Sequence, residues 1–453
     1  MQRRIKAQAV GSGGAGTMMP NDSPTARPGV PHTYGLSRLR WWIVALLFVV
    51  TLLNYVDRQT LSVLAPVLRD EFRMSNSDYA FVLIAFLVAY TVMQAVSGAF
   101  LDWIGTKWGF AIMFAWWSVA TFLQRFARGA TSLAFIRCLL GMGEAGNWPG
   151  ATKAISEWFP RHERGAAMGI FNAGSSLGAL LAPPLIAFTA LRLGWRNAFA
   201  IISLSGMLWL VFWILIYRKP APVPAMESTT LETASNTLPK RRIPWLSLLA
   251  YREVWGVFLA RGIGDPVWWF YIFWLPEYLK HDRGFTLTMI GLLAWIPFLT
   301  ATLGCLAGGW CSDLLVRRGL SLNRARKAVF AVSALLACSA AWFVPVTRTS
   351  SIALAFIAVA TFGVQSWGTL LLTLPADMFP SDVVASVSGL SGFGAGAGGI
   401  LSTYLVGYLL DRFSYKAVFT LMAMMHPLAF VVVIALIPTI RPVRVDTTSP
   451  AMP

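Results

Sequence analysis

Long apolar runs, spread over almost the whole chain, limit what this sequence can fold into. Most have about the twenty residues that an α-helix needs to cross a bilayer core of about 30 Å. Membrane β-strands are shorter, about 9–11 residues, and alternate in polarity, which these runs do not. We therefore predict twelve transmembrane helices. The predicted spans are Trp41–Val67, Tyr79–Leu101, Phe110–Phe126, Leu133–Ile155, Gly165–Leu191, Ala198–Tyr217, Val254–Leu279, Ile290–Cys311, Ala328–Val346, Ile352–Ala376, Val383–Leu410 and Ala417–Ile437.

The composition also favours a protein surrounded by lipid. Hydrophobic residues make up 56% of the chain and charged residues 13%, against about 25% charged in a soluble globular domain. The net charge is +17, but the basic residues punctuate the apolar runs instead of clustering on a polar face, so no nucleic-acid partner is predicted. The four cysteines lack the paired spacing of a zinc site or a disulfide framework. We expect no metal and no cofactor.

The loops between the spans fall into two alternating sets, of which one holds roughly twice as many basic residues as the other. Since the basic set includes both termini, we predict a multi-pass protein of the plasma (cytoplasmic, inner) membrane with both termini in the cytoplasm. The predicted segments are a disordered cytoplasmic tail over 1–38, an N-terminal six-helix bundle over 39–217, a cytoplasmic linker over 218–252, a C-terminal six-helix bundle over 253–438 and a cytoplasmic tail over 439–453.

The two halves of the chain repeat one another. A shift of 220 residues aligns Glu157–Phe199 with Asp377–Phe419, with nine identities and no gap. A second repeat relates the Gly-x-x-x-Asp stretch that ends at Asp102 to the one that ends at Asp313. Two parallel six-helix repeats are typical of the major facilitator architecture.

The loop from Gly98 through Asp102 and Gly105 to Lys107 resembles the loop motif of the major facilitator superfamily. Within that superfamily the chain is most similar to hexuronate (glucuronate or galacturonate) permeases of the anion:cation symporter branch. The stretches that carry this similarity are Asn54–Arg58, Gly141–Pro149, Glu157–Pro160, Phe171–Ser176, Ala182–Pro184 and Asp265–Phe270. The resemblance implies an all-α membrane protein with twelve helices in two six-helix bundles and a central cavity. Arg261 departs from it, because such permeases are expected to carry lysine there.

Charged residues inside the predicted spans are the main functional signal. They are Asp57, Arg58, Arg137, Glu144, Arg261 and Asp265. Each would cost about 2.5–3.5 kcal/mol at the centre of a lipid-exposed helix, so we expect them to face a cavity or one another. Arg137 and Glu144 lie two turns apart on one helix face, about 10 Å, which is too far for direct pairing. Asp57 and Arg58 are adjacent, so their side chains diverge by about 100° and need different partners.

Arg261 and Asp265 are four residues apart, just before an expected interruption of the helix at Pro266. This spacing is compatible with mutual neutralisation as well as with a functional charge pair. The tryptophans that follow, including Trp268 and Trp269, could stack on the face of a sugar, but tryptophan is common at membrane interfaces, and we expect them there.

Residues at the cytoplasmic helix ends are predicted to act in gating. A carboxylate and a cation there can hold the two bundles together in one state and release them in the other. The predicted gating residues are Gly98, Asp102, Lys107 and Asp313.

Arg58 is predicted to bind a substrate carboxylate, because a guanidinium keeps its proton and offers a forked set of donors. Asp57 and Glu144 are titratable carboxylates that can take and release a proton, with Arg137 as a counter-charge. The resemblance implies the same assignment, with Asp57 and Glu144 at the proton-coupling positions and Arg58 at the substrate-anion site. Further predicted substrate-binding residues are Tyr55, Tyr90, Asn172, Gln365 and Trp367, and other polar residues expected at cavity depth are Asn54, Gln94, Asn147 and Ser366. Each of these neutral residues is also compatible with a simple contact between helices.

These features predict a secondary active transporter that imports a hexuronate or related sugar acid by proton symport, through alternating access, as a functional monomer. The alternative is proton-coupled symport of another organic anion, such as an aldonate, an aldarate or an aromatic carboxylate. Exchange of phosphate esters would use paired arginines without the acids, and Asp57 and Glu144 argue against it. An enzyme would need a catalytic dyad or a metal cluster, which the sequence lacks.

Overall fold

The computed structural model describes residues 34–220, 244–286, 289, 292–443 and 445, and these contain helices and no β-strand. Its α-helices are α1 Tyr34–Phe72, α2 Asn76–Ile104, α3 Thr106–Leu123, α4 Ala130–Glu144, α5 Asn147–Trp158, α6 Arg164–Leu193, α7 Trp195–Ile216, α8 Arg252–Phe273, α9 Leu275–His281, α10 Ile296–Arg317, α11 Leu322–Phe343, α12 Ser350–Met378, α13 Val384–Arg412 and α14 Tyr415–Leu436. The described residues from Arg40 onward form one compact unit. Most of the predicted N-terminal tail, residues 221–243 of the linker and most of the C-terminal tail lie outside the described residues.

The prediction of twelve membrane spans agrees with these helices. Each predicted span falls on one α-helix or on two consecutive ones. Among the described residues, nine helices are long and apolar enough to cross a membrane. Two of the spans are each divided between two helices: α4 ends at Glu144 before α5 begins at Asn147, and α8 ends at Phe273 before α9 begins at Leu275.

Pro266 does not interrupt its helix, contrary to the prediction. It lies inside α8, which continues to Phe273. A proline removes the backbone hydrogen bond to the carbonyl four residues earlier, here that of Gly262. This carbonyl lies against Gly398 of α13, where an added Cβ would have no room. The neighbouring helix therefore covers the freed carbonyl, and the helix passes through the proline unbroken.

Glycines occupy the tight turns between two pairs of helices. Gly105 has a φ of 94° between α2 and α3, and Gly194 has a φ of 83° between α6 and α7. Residues with a Cβ rarely adopt these angles. The N-terminus of α2 is closed by a capping box, in which the side chains of Ser75 and Asp78 each bond the other's backbone N–H. The sequence thus marks where α2 begins and where it ends.

The most extensive contacts between the N half (α1–α7) and the C half (α8–α14) are two helix crossings. At these crossings α2 packs against α13, and α6 packs against α10. Gly98 lies against the carbonyl of Ala385, and Gly309 lies against the carbonyl of Gly165. Small residues let helix backbones approach this closely. Gly98, one of the predicted gating residues, is therefore at a point where the two halves touch.

We predict that Gly98→Ala destabilises the protein, because the new methyl group would collide with the carbonyl of Ala385. Overpacking of this kind costs about 1–3 kcal/mol. The matched control is Gly407→Ala in α13, where an added Cβ meets nothing within 4 Å, and where alanine favours the helix by up to about 1 kcal/mol. The measurement is the melting temperature of both purified variants in detergent. Equal melting temperatures would contradict the close contact at Gly98.

Candidate functional site

A cavity of about 640 Å³ lies between the two halves, and α1, α2, α5, α6, α8, α12 and α13 contribute to its walls. All six residues predicted to bind substrate line it, together with Gln94. They are Tyr55, Arg58, Tyr90, Asn172, Gln365 and Trp367. Asn54, Asn147 and Ser366 do not line it. Trp268 and Trp269 do, so their expected place at a membrane interface was wrong.

Arg58 and Glu144 form an ion pair at the cavity wall. The guanidinium Nη2 donates to Glu144 Oε2 at 2.9 Å. The side chain of Arg58 is 21% exposed, whereas that of Glu144 is completely buried. The guanidinium also lies 4.5 Å from the ring centre of Tyr90, and its Nε has no hydrogen-bond partner in the described part of the chain. Arg58 is therefore the accessible member of the pair and has donor capacity left.

Asp57 is directed away from this cavity, into the packing between α1 and α3. Its Oδ2 accepts hydrogen bonds from the Trp117 indole and the Thr121 hydroxyl. Its Oδ1 has no partner among the described residues, and the whole residue is buried. The prediction that Asp57 and Arg58 have different partners is confirmed.

Arg137 is buried but is not the direct counter-charge of Glu144. Its guanidinium lies over the ring of Phe86, 4.5 Å from the ring centre. The Nε and Nη1 atoms have no hydrogen-bond partner among the described residues. Glu144 pairs instead with Arg58, which comes from another helix. Arg137 and Glu144 therefore do not pair directly, as their seven-residue spacing predicts, and the role of Arg137 as a counter-charge stays a prediction.

Arg261 and Asp265 form a second ion pair, in the C half. Arg261 Nε donates to Asp265 Oδ2 at 2.9 Å, and Arg261 Nη2 lies 2.8 Å from the same oxygen. Arg261 Nη1 donates to the Ser391 hydroxyl at 3.3 Å. Both charged residues line the cavity. The two side chains thus neutralise each other at the cavity wall, one of the two arrangements that their spacing allowed.

Two predicted ligand residues also connect the halves. Asn172 Nδ2 donates to Thr369 Oγ1 at 3.1 Å, and Gln365 Nε2 donates to Ser176 Oγ at 2.9 Å. Both side chains line the cavity as well. The geometry is therefore compatible with both predictions for these residues, which are substrate binding and contact between helices.

Asp102 caps a helix of the opposite half. Its Oδ2 accepts hydrogen bonds from the backbone N–H and the hydroxyl of Ser386, at 2.7 Å and 2.6 Å, in the first turn of α13, which has no side-chain cap of its own. A carboxylate is favourable at a helix N-terminus. Its Oδ1 pairs with Lys153 at 2.7 Å. The ammonium of Lys107 instead lies 5.8 Å from the ring centre of Trp108, so Lys153, and not the predicted Lys107, is the cation beside Asp102.

Asp313 makes the equivalent contact in the other direction. Its Oδ2 accepts from the backbone N–H of Ala166 at 2.7 Å, in the first turn of α6, which also has no side-chain cap of its own. Its Oδ1 pairs with the buried Arg326 at 2.8 Å. Arg326 also pairs with Asp377 at 3.0 Å and donates to the carbonyl of Arg161 in the N half at 3.2 Å. One guanidinium thus ties both halves together.

We call this region, which contains both carboxylate caps, the Asp102 end. Ala166 and Ser386, the residues whose N–H groups are capped, are related by the 220-residue repeat. Among the described residues, every polar side-chain contact between the halves lies at this end or beside the cavity. Sequence reasoning missed Lys153, Arg326 and Asp377, although the repeat could have pointed to the two capped helices.

Comparison with known proteins agrees with this architecture. The family model of the Major Facilitator Superfamily matches residues 47–403. The chain belongs to the major facilitator superfamily. The predicted fold is thereby confirmed, as is the prediction of a membrane transporter and not an enzyme.

Relatives within the superfamily are similar over most of their length. The chain is 32% identical to the "Hexuronate transporter" of Escherichia coli (strain K12) over 403 residues, which are 87% of this chain and 93% of the relative. It is 30% identical to the "Probable galactarate/D-glucarate transporter GarP" of the same strain, over 82% of this chain and 88% of the relative. The solved structure of the proton:xylose symporter XylE covers 89% of this chain and 96% of its own, with a TM-score of 0.69 and 16% identity. That structure supports the major facilitator fold.

We predict that Arg326→Gln strongly destabilises this transporter, because two buried carboxylates would lose their cation. Breaking a buried ion pair by removing one partner costs about 3–5 kcal/mol. The matched control is Arg324→Gln, since Arg324 lies on the same helix but is exposed. Thermal unfolding in detergent measures both variants. If Arg326→Gln melted at the temperature of the control, the network would not stabilise the Asp102 end.

Proposed function

We propose that this major facilitator transporter imports a hexuronate or a related sugar acid together with protons. The observation that carries the proposal is the ion pair of Arg58 and Glu144, in which the cation is exposed at the cavity wall and the carboxylate is buried. A guanidinium binds a carboxylate with a forked geometry. Polar groups of Tyr90, Asn172 and Gln365 around the same cavity suit the hydroxyl groups of a sugar acid. The names of the hexuronate and galactarate/D-glucarate relatives favour the same class of substrate.

Proton coupling would follow from competition for Arg58. When Glu144 is ionised, it occupies one of the guanidinium donors. Protonation would remove its negative charge and weaken that bond, so the guanidinium would be free to bind the substrate anion. Proton binding and anion binding would then favour each other. Asp57, next to Arg58 in the sequence and buried against α3, is proposed as a second group that takes up a proton.

We further propose that the Asp102 end faces the cytoplasm of the cell, in the inner membrane, with both termini on the same side. The excess of basic residues in the loops of that side supports this orientation. Polar contacts join the two halves at the Asp102 end and beside the cavity. We propose two six-helix bundles, over residues 39–217 and 253–438. Access to the cavity alternates when these bundles separate at the Asp102 end. A monomer suffices, since a single chain supplies both walls of the cavity.

The test is uptake of radiolabelled glucuronate into proteoliposomes that contain the purified protein, under an imposed pH gradient. We expect accumulation that collapses when a protonophore is added. Accumulation that persists with the protonophore would contradict proton coupling. Uptake of labelled galactonate without any uptake of glucuronate would contradict the hexuronate assignment while leaving sugar-acid transport in place.

We predict that Glu144→Gln uncouples transport, because glutamine keeps a polar group beside Arg58 but cannot carry the proton. Accumulation driven by a pH gradient should fall to the level seen without the gradient, while exchange of labelled for unlabelled glucuronate continues. The control is Glu277→Gln, whose side chain is 55% exposed and should leave both activities unchanged. A Glu144→Gln protein that still accumulates glucuronate uphill would remove Glu144 from the coupling mechanism.

A further inference from the structure

The two ion pairs of the cavity expose opposite charges. In the pair from the N half, Arg58 is 21% exposed and Glu144 is 0% exposed. In the pair from the C half the order is reversed, with Asp265 at 20% and Arg261 at 7%. The cavity therefore has a cationic side at Arg58 and an anionic side at Asp265.

Arg261 has little capacity left to bind a second anion. All three of its guanidinium nitrogens are in contact with these partners: Nε donates to Asp265 Oδ2, Nη2 lies 2.8 Å from the same oxygen, and Nη1 donates to the Ser391 hydroxyl. That hydroxyl donates its own proton to the carbonyl of Ser388 at 2.7 Å, so a lone pair is left to accept from Arg261. The guanidinium is held in place as the support of Asp265.

Asp265 keeps one carboxylate oxygen for a ligand. Both contacts from Arg261 are with Oδ2, and no hydrogen bond to Oδ1 is present among the described residues. Arg58 and Asp265 line the same cavity, together with Tyr55, so one small molecule in that cavity can contact both charged groups. An ionised carboxylate accepts hydrogen bonds from hydroxyl groups and repels a second carboxylate.

We propose that Asp265 determines specificity within the sugar acids: it accepts a hydrogen bond from a hydroxyl at the end of the substrate opposite the carboxylate that Arg58 binds, and it excludes sugar acids with a carboxylate at both ends. This inference rests on the proposed function. It assigns the transporter to monocarboxylic sugar acids and away from aldarates, through a repulsive element in the site.

The test compares glucuronate with glucarate, which has the same six-carbon chain and a second carboxylate. Apparent dissociation constants are measured by thermal shift on the purified full-length protein at neutral pH. We expect the wild type to bind glucuronate at least about tenfold more tightly than glucarate. In Asp265→Asn this ratio should fall by about tenfold or more, because the repulsion disappears and Arg261 becomes available as a second cation.

Three further variants distinguish an effect of charge on substrate binding from an effect on folding. Asp265→Ser removes the same charge with a smaller side chain and should shift the ratio in the same direction if Asp265→Asn folds poorly. Arg261→Gln combined with Asp265→Asn removes both charges and should lose the part of the gain in glucarate binding that depends on the freed cation, while keeping the part that comes from the lost repulsion. Asp411→Asn, at an exposed position of α13, should keep the wild-type ratio.

The possible negative results distinguish an error in this inference from an error in the proposed function. If the wild type binds glucarate as tightly as glucuronate, or if neither Asp265 variant changes the ratio, the inference is overturned and sugar-acid transport still stands. If neither glucuronate, galactonate nor glucarate stabilises the wild type, the proposed function fails and this inference fails with it.

Discussion

The cost of burying a charge inside a bilayer shapes the centre of the transporter. Arg58 with Glu144, and Arg261 with Asp265, neutralise each other at the cavity walls, where a lone charge would be costly. If both members of each pair were buried, the two charges would neutralise each other and no charged group would be left to bind a ligand. Here each pair has one buried and one accessible member, so the same contacts that make burial tolerable also leave a charged group facing the cavity.

The sequence predicted the helices well, because a span in lipid must satisfy its own backbone and only long apolar runs can do so. It also predicted the six substrate-binding residues that line the cavity, although Asn54, Asn147 and Ser366, which were expected at the same depth, do not line it. It could not predict that Glu144 meets Arg58, because that contact joins positions 86 residues apart and depends on how two helices are rotated. The effect of Pro266 on its helix could not be predicted for the same reason, because it depends on Gly398 in a neighbouring helix.

At the Asp102 end, the sequence motif predicted the position of the carboxylate but not the residues that it contacts. The motif placed Asp102 at a helix end, but its nearest cation by sequence, Lys107, is not its partner in space. Lys153 reaches Asp102 from α5, after the break that separates α4 from α5. The carboxylate's main contact is with the first turn of α13, a backbone feature that leaves no residue-type signature. Internal repetition was the better guide, because Asp102 and Asp313 cap helices that the repeat relates.

The two helix caps give the gate a particular relation to water. When the halves separate at the Asp102 end, the N–H groups of Ser386 and Ala166 lose their carboxylate acceptors. Neither helix has a side-chain cap of its own to replace them, so water must take their place. The Asp102 end therefore cannot open unless water hydrates these N–H groups at the same time. A dehydrating osmolyte, which competes for that water without entering the cavity, will shift the transporter toward the state in which the Asp102 end is closed.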